Sequence, residues 1–328
     1  MKKLFVYIPT YNRPQAIRAQ LKALAPQALN YPENFRILIN DNSSLSANFQ
    51  DLAEEYRHIK NIEFRTNSGN IGANANIALG FVFARAGEFL WILSDNDIVA
   101  EGAVTTILDA INYEVDFYCF VDSTPKCNEV DLEWKNGCQK LMDWRLGLIS
   151  DGLYNVNTIK SSIEDAFYFH NSSFPHLAVA FSALKKKGTA RIRLLHRENI
   201  NKDFFPSSEN PTDYSLAQVC MPLLVALFER TEARTFSNMW LRRHGVDMYK
   251  NRQSHYHLYL QSRASLKYFG GWEASCLLHL KWIEYGLDML VLRHYRNMKR
   301  ELVQCAKNNL SQNMQEKMKK IRMVICGK

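Results

Sequence analysis

The sequence predicts an α/β fold: a mostly parallel sheet with helices on both faces, plus a helical region at the C-terminal end. Three observations carry this prediction. Short continuous apolar runs recur through the first hundred residues, each closes in a polar turn, and a helical periodicity separates each from the next. Beyond Tyr249 the pattern becomes helical, aromatic and basic.

The elements follow in order. Leu4 to Ile8 is unbroken apolar sequence, as expected of a strand buried on both faces. The polar turn Thr10 to Pro14 comes next. Pro14 suits the first turn of a helix that places Ile17, Leu21 and Leu24 on one side. Phe35 to Asn40 predicts a second strand, ending in Asp41-Asn42-Ser43-Ser44. Phe49 to Tyr56 reads as a helix and Ile62 to Arg65 as a third strand. Asn70-Ile71-Gly72 opens a helix along Ala75, Leu79 and Val82, and Phe89 to Leu93 is a fourth strand.

Later segments are less regular. Val115 to Val121 and Arg191 to Leu195 read as strands, and Leu141 to Ile149 as a helix. Ser172 to His176 precedes an apolar stretch, Leu177 to Leu184, and a helix is expected over Tyr214 to Glu229. The expected organisation is one domain over 1–248, with halves 1–112 and 113–248, followed by a helical region over 249–328.

The totals narrow the function. With 328 residues and 47% apolar composition the chain buries a large core, which excludes wholesale disorder. A net charge of +8 implies anionic partners: nucleotide, nucleic acid or a membrane surface. The seven cysteines never form a C-x-x-C pair, which argues against zinc and a disulfide framework and for a reducing compartment. The apolar run after Met1-Lys2-Lys3 stops at Pro9, so it reads as a strand rather than a signal peptide. No uncharged apolar stretch reaches membrane-spanning length, and a cytoplasmic protein is expected.

In parallel sheets, ligands bind outside the carboxyl ends of the strands. The turns there would bring Tyr11, Asp41 and Asp97 to one crevice. The fourth strand ends in Ser94-Asp95-Asn96-Asp97, two carboxylates one residue apart. Alone, that tripeptide fits a helix cap or a site for a hard divalent cation, Mg²⁺ or Mn²⁺.

Four motifs in order resemble the inverting family 2 glycosyltransferases, whose fold is of the Rossmann-like GT-A type. They are Ile8-Pro9-Thr10-Tyr11-Asn12-Arg13, Asn40-Asp41-Asn42-Ser43-Ser44, Asn70-Ile71-Gly72 with Asn76, and Ser94-Asp95-Asn96-Asp97. The resemblance implies that Pro9, Tyr11 and Arg13 line the nucleotide of a nucleotide-diphosphate sugar, with a UDP-sugar favoured. It implies that Asp41 accepts a hydrogen bond from base or ribose. Gly72 would let the backbone approach the ligand, while Asn70 and Asn76 fix the loop or reach the donor sugar. Asp95, with Asn96, would contact ribose or sugar; Asp97, with Asp95, would hold Mn²⁺ or Mg²⁺ against the diphosphate. Arg13 would assist with charge on the leaving group.

Inversion also needs a general base. The element Phe174-Pro175-His176 resembles that of an abequosyltransferase-like subset, in which His176 would replace the family's usual acidic base. Asp213, ahead of the helix starting near Tyr214, is the alternative. A late histidine can also serve the metal or diphosphate; Arg242-Arg243-His244-Gly245 and Leu195-His196-Arg197 are the two sources. The implied acceptor is a glycan or lipid-linked glycan of a bacterial surface, lipopolysaccharide or capsule. The basic-aromatic C-terminal region fits solvated helix faces or peripheral contact with the inner membrane's cytoplasmic face, and no nucleic-acid module is present. A nucleotidyltransferase making the activated sugar, or a non-catalytic nucleotide-sugar-binding protein, are the rivals.

Overall fold

A computed structural model of the chain describes residues 3–45, 48–123, 127–204 and 214–307. Its elements in order are β1 (Lys3–Thr10), α1 (Pro14–Asn30), β2 (Phe35–Asp41), α2 (Asn48–Tyr56), β3 (Ile62–Thr66), α3 (Ala73–Phe83) and β4 (Glu88–Ile92). There follow β5 (Asp97–Val99), α4 (Ala103–Ala110), β6 (Phe117–Val121), β7 (Glu129–Glu133), α5 (Trp134–Asp143), β8 (Gly152–Asn155), α6 (Val156–Ile159), α7 (Ile163–Tyr168) and α8 (Pro175–Lys187). The last are β9 (Thr189–His196), β10 (Asn201–Phe204), α9 (Tyr214–Cys220), α10 (Arg230–Lys250) and α11 (Tyr256–Lys307).

Eight strands form one sheet in the order β3-β2-β1-β4-β8-β6-β9-β7. The strands β3, β2, β1, β4, β6 and β9 point one way, while β8 and β7 run against them. Alternation along β1 explains why both faces are covered. Leu4, Val6 and Ile8 face the layer containing α1, α2 and α4; Phe5 and Tyr7 face the layer containing α3, α5 and α8.

The early elements lie where their periodicity places them. Two later ones differ. The expected Leu141–Ile149 helix lies earlier, over α5, because Arg145 adopts a left-handed φ of 66° and turns the chain into an irregular segment up to Asp151. The expected Tyr214–Glu229 helix is split: α9 gives way to a 3₁₀ segment, Met221–Leu227, at Pro222. The antiparallel strands β7 and β8 and the two-stranded β5–β10 pair were not read from the sequence. At three to five residues each, they are too short to carry a period.

α10 begins with a capping box between Glu229 and Glu232 and packs along α11 through Leu241, Met248, Tyr259, Leu266, Ala274 and Leu278. α11 is broken at Gly271, whose φ of 76° interrupts the helical path. No helix among the described residues is long and apolar enough to cross a membrane.

One contact beneath the sheet yields a stability test. A Cβ on Gly80 would lie 2.6 Å from Cδ1 and 3.0 Å from Cγ of the buried Tyr7 ring. Tyr7 is tied by its hydroxyl to the Asn76 carbonyl at 2.7 Å, so the ring has little room to yield. Gly80→Ala is expected to destabilise the protein by about 1–3 kcal/mol, read as a lower denaturation midpoint.

Candidate functional site

The carboxyl ends of β1, β2 and β4 lie side by side, with Thr10 in register with Asp41. The turn after β1 fastens both neighbours. Toward β4, Thr10 Oγ1 donates to Asp95 Oδ2 at 2.9 Å and Arg13 Nη1 to Asp95 Oδ1 at 2.8 Å. Toward β2, the Asn12 amide donates to Ser44 Oγ at 2.8 Å, and Asn12 Oδ1 accepts from the Leu45 amide at 3.0 Å. Asn12 and Ser43 both have left-handed backbones, φ 55° and 63°, so both turns hold a disfavoured conformation pinned by these bonds. Asp41 is buried and accepts from the Ser44 amide at 2.9 Å and from the Ser44 hydroxyl. Tyr11 is partly exposed at the same turn, and Pro9 pairs with Asn40 on β2.

A ladder of side-chain amides holds the turn after β3. Asn76 Oδ1 accepts from Asn40 Nδ2 at 2.5 Å and from Asn67 Nδ2 at 3.2 Å; Asn76 Nδ2 returns a bond to the Asn40 carbonyl at 3.1 Å. Asn42 donates to Asn70 Oδ1 at 2.8 Å, and Asn70 Oδ1 also accepts from the Gly72 amide at 2.9 Å. Of the two tasks expected for Asn76, the buried side chain is occupied with fixing the loop. Gly72 is required for conformation rather than space: its φ of 86° and ψ of 152° are open to glycine, and a Cβ there meets nothing within 4 Å.

The acidic turn after β4 is held from below. Gln20 Nε2 donates to the Ser94 and Asp97 carbonyls at 2.8 and 2.9 Å, and Ser94 Oγ to Asn96 Oδ1 at 2.5 Å. Asp95 and Asp97 are 7% and 6% exposed. Burial raises the Asp95 carboxyl above its ordinary range, against the opposing pull of Arg13 and Thr10. Asp97 is pushed up to about 6, chiefly by burial, with Asp151 and Asp95 adding repulsion; a Ser150 hydrogen bond and Arg197 oppose it.

Asp151 is a site residue that sequence reasoning missed. Its buried carboxylate accepts from Arg145 Nε at 2.8 Å and Arg197 Nε at 3.2 Å. Its neighbour Ser150 accepts the Ser94 amide on Oγ at 2.9 Å. The one available signal was Ser150-Asp151-Gly152, a polar turn before the apolar Leu153-Tyr154. Of the two basic clusters considered, Leu195-His196-Arg197 is the one brought beside Asp97. Asp151→Asn, which weakens both arginine pairs, is expected to cost about 2–3 kcal/mol by chemical denaturation.

His176, the candidate base, is buried. It is 1% exposed in the first turn of α8, its Nε2 3.1 Å from the Gly147 carbonyl and its Nδ1 buried without a hydrogen-bond partner. A carbonyl accepts only, so Nε2 carries the proton and Nδ1 the lone pair. Burial lowers the imidazole to about 4. His244 lies on α10 with its ring against Trp240, 4.1 Å between centroids. Among the described residues no group of three or more His, Cys, Asp or Glu is poised to hold a metal ion, and His244 is not brought to the acidic turn as a third ligand. Asp213 lies outside the described residues.

Comparison with known proteins places this architecture. The family described as Glycosyl transferase family 2 matches residues 5–169. The abequosyltransferase RfbV of Salmonella typhimurium is 26% identical over 127 residues, a match spanning 38% of this chain and 37% of that protein. S. aureus TarS 1–349, solved with UDP-GlcNAc, superposes with a TM-score of 0.59 at 16% identity, covering 86% of this chain and 88% of that one. The same protein with UDP gives 0.58 at 16% identity over the same shares. These likenesses support the GT-A type of fold. With half of its length, including every strand-end turn described above, inside the family match, the chain belongs to glycosyl transferase family 2.

Proposed function

We propose that the protein transfers a sugar, with inversion, from a nucleotide-diphosphate sugar to a hydroxyl of a bacterial surface glycan, using a divalent cation at Asp97. The observation that carries this reading is the acidic turn itself. Asp95 is committed to Thr10 and Arg13, whereas Asp97 is buried at the crevice with its pKa raised by burial and neighbouring carboxylates. A hard cation relieves that repulsion, and one carboxylate with diphosphate oxygens is an ordinary ligand set for Mg²⁺ or Mn²⁺. The residues therefore fit the ion. When bound, it would neutralise charge on the leaving diphosphate.

The chain's own groups supply the rest. Tyr11 offers a ring face to the base, and Asp41 a carboxylate to base or ribose. Arg13, aligned by Asp95, adds positive charge where the leaving group develops negative charge. His176 accepts the acceptor's proton on Nδ1. Its tautomer is fixed for this by the Gly147 bond, and access requires the surface over it to part when the acceptor binds. The TarS structures with UDP-GlcNAc and UDP support a UDP-sugar donor, and the RfbV likeness supports a surface-glycan acceptor such as lipopolysaccharide or capsule. We divide the chain into a catalytic region, 1–248, and a C-terminal region, 249–328.

Thermal shift with UDP, other nucleoside diphosphates and Mn²⁺, followed by hydrolysis of nucleotide sugars without acceptor, tests the reading. Slow, Mn²⁺-dependent release of nucleoside diphosphate is the expected result. Pyrophosphate-dependent breakdown would instead indicate a nucleotidyltransferase, and silence a binding protein. Because Asp97 must lose its proton to bind a cation, Mn²⁺ affinity should rise about tenfold per pH unit below 6 and level off above it, as read by titration calorimetry.

A further inference from the structure

We infer that α11 carries a docking surface for an anionic lipid bilayer. The first observation is where the charge lies. Residues 251–328 hold fourteen Lys and Arg against five Asp and Glu, a net +9, which leaves residues 1–250 at −1. The whole basicity of the chain therefore belongs to its last quarter, outside the region with the sugar-transfer turns.

The second observation is an apolar stripe. Beyond the Gly271 break, Trp272 is 70% exposed, and Leu280, Ile283 and Leu287 are at least half exposed; Cys276 is exposed between them. At about 100° per residue these five positions fall within an arc of about 80°. The opposite side is spent on the core: Ala274 and Leu278 are buried against the helical cluster shared with α9 and α10. Among the described residues, the stripe takes no part in the core. Before the break, Tyr256, Leu260, Arg263, Lys267 and Tyr268 are also exposed, aromatic and aliphatic groups interleaved with cations.

The exposed apolar stripe, with exposed Arg263 and Lys267 before the break on the same helical segment, matches the chemistry of a headgroup layer. The rings and aliphatic groups enter the acyl boundary, and the cations meet anionic headgroups. A second copy of the chain fits less well, because apposing two such regions would bring two +9 segments together. The inference does not depend on the donor or the metal. It would give the enzyme a lipid surface at which a lipid-linked acceptor is presented.

Flotation of the full-length protein with vesicles tests it, without nucleotide sugar. The protein should float with phosphatidylcholine–phosphatidylglycerol vesicles and not with phosphatidylcholine alone, with binding falling as salt is raised. The triple variant Trp272→Ala, Ile283→Ser, Leu287→Ser should bind about tenfold more weakly, with an unchanged denaturation midpoint. Equal binding to neutral vesicles, no binding to either, or binding unchanged in the variant would overturn the proposal. So would light scattering that shows a dimer lost in the variant, which would assign the stripe to a second copy.

Discussion

Asp97→Asn is expected to lower kcat/KM for sugar transfer by at least about 10³-fold and, at neutral pH without added metal, to raise stability. The two effects share one cause. The Asp97 carboxyl is pushed up to about 6 in the folded protein, above its unfolded value. The native state therefore binds more protons than the unfolded state between about 4 and 6. The charged carboxylate costs stability progressively across that window and in full above it. A shift of that size corresponds to a penalty of about 3 kcal/mol, which asparagine does not incur. Saturating Mn²⁺ should erase the stability difference by stabilising only the parent. An inactive but more stable variant distinguishes a lost ligand from a damaged fold. A less stable Asp97→Asn protein, or one transferring at the parent rate, would sink the assignment.

His176→Ala and His176→Gln are both expected to lower transfer by about 10²–10⁴-fold. The glutamine variant is the informative one, because its amide N–H can still donate to the Gly147 carbonyl while its side chain cannot take up a proton at neutral pH. Retained activity in His176→Gln would reduce the residue to a positioning role, and loss in Asp213→Asn alone would move the base there. Stability supplies an independent readout. The folded imidazole titrates at about 4, below its unfolded value near 6.5, so the unfolded state binds the extra proton between them. Stability from this group is fully present above about 6.5 and falls by up to about 3 kcal/mol as the pH drops toward 4. That slope should flatten in His176→Gln. It runs opposite to the Asp97 contribution, and comparing each variant with the parent separates the two.

The legible parts of this protein are those where one segment declares its own surroundings. Leu4 to Ile8 has to be buried on both faces, and Ile17, Leu21 and Leu24 have to share a helix side. The four strand-end turns were therefore found in the right places. The amide ladder was half legible: Asn70 and Asn76 were singled out, but Asn42 and Asn67 join them only because the turns after β2 and β3 abut. Asp151 was invisible because nothing near it in sequence announces its partners. Arg145 is six residues away and Arg197 forty-six, and neither pairing follows from a local pattern. The misplaced Leu141–Ile149 helix has a similar origin, a left-handed Arg145 that apolar spacing does not reveal.

The sequence by itself determined the alternation of strands and helices, the carboxylate pair at the end of β4 and the family to which the chain belongs. Each of these depends on residue type and short-range spacing, which the chain displays directly. Only the tertiary structure decided which partners each carboxylate has: Thr10 and Arg13 for Asp95, Ser150, Arg197 and neighbouring carboxylates for Asp97. Only it showed that His176 is sealed against Gly147 and that Arg197 rather than His244 lies near the acidic turn. Burial and proximity between distant segments set those outcomes, because a carboxylate's charge state and an imidazole's tautomer depend on the groups that surround them after folding.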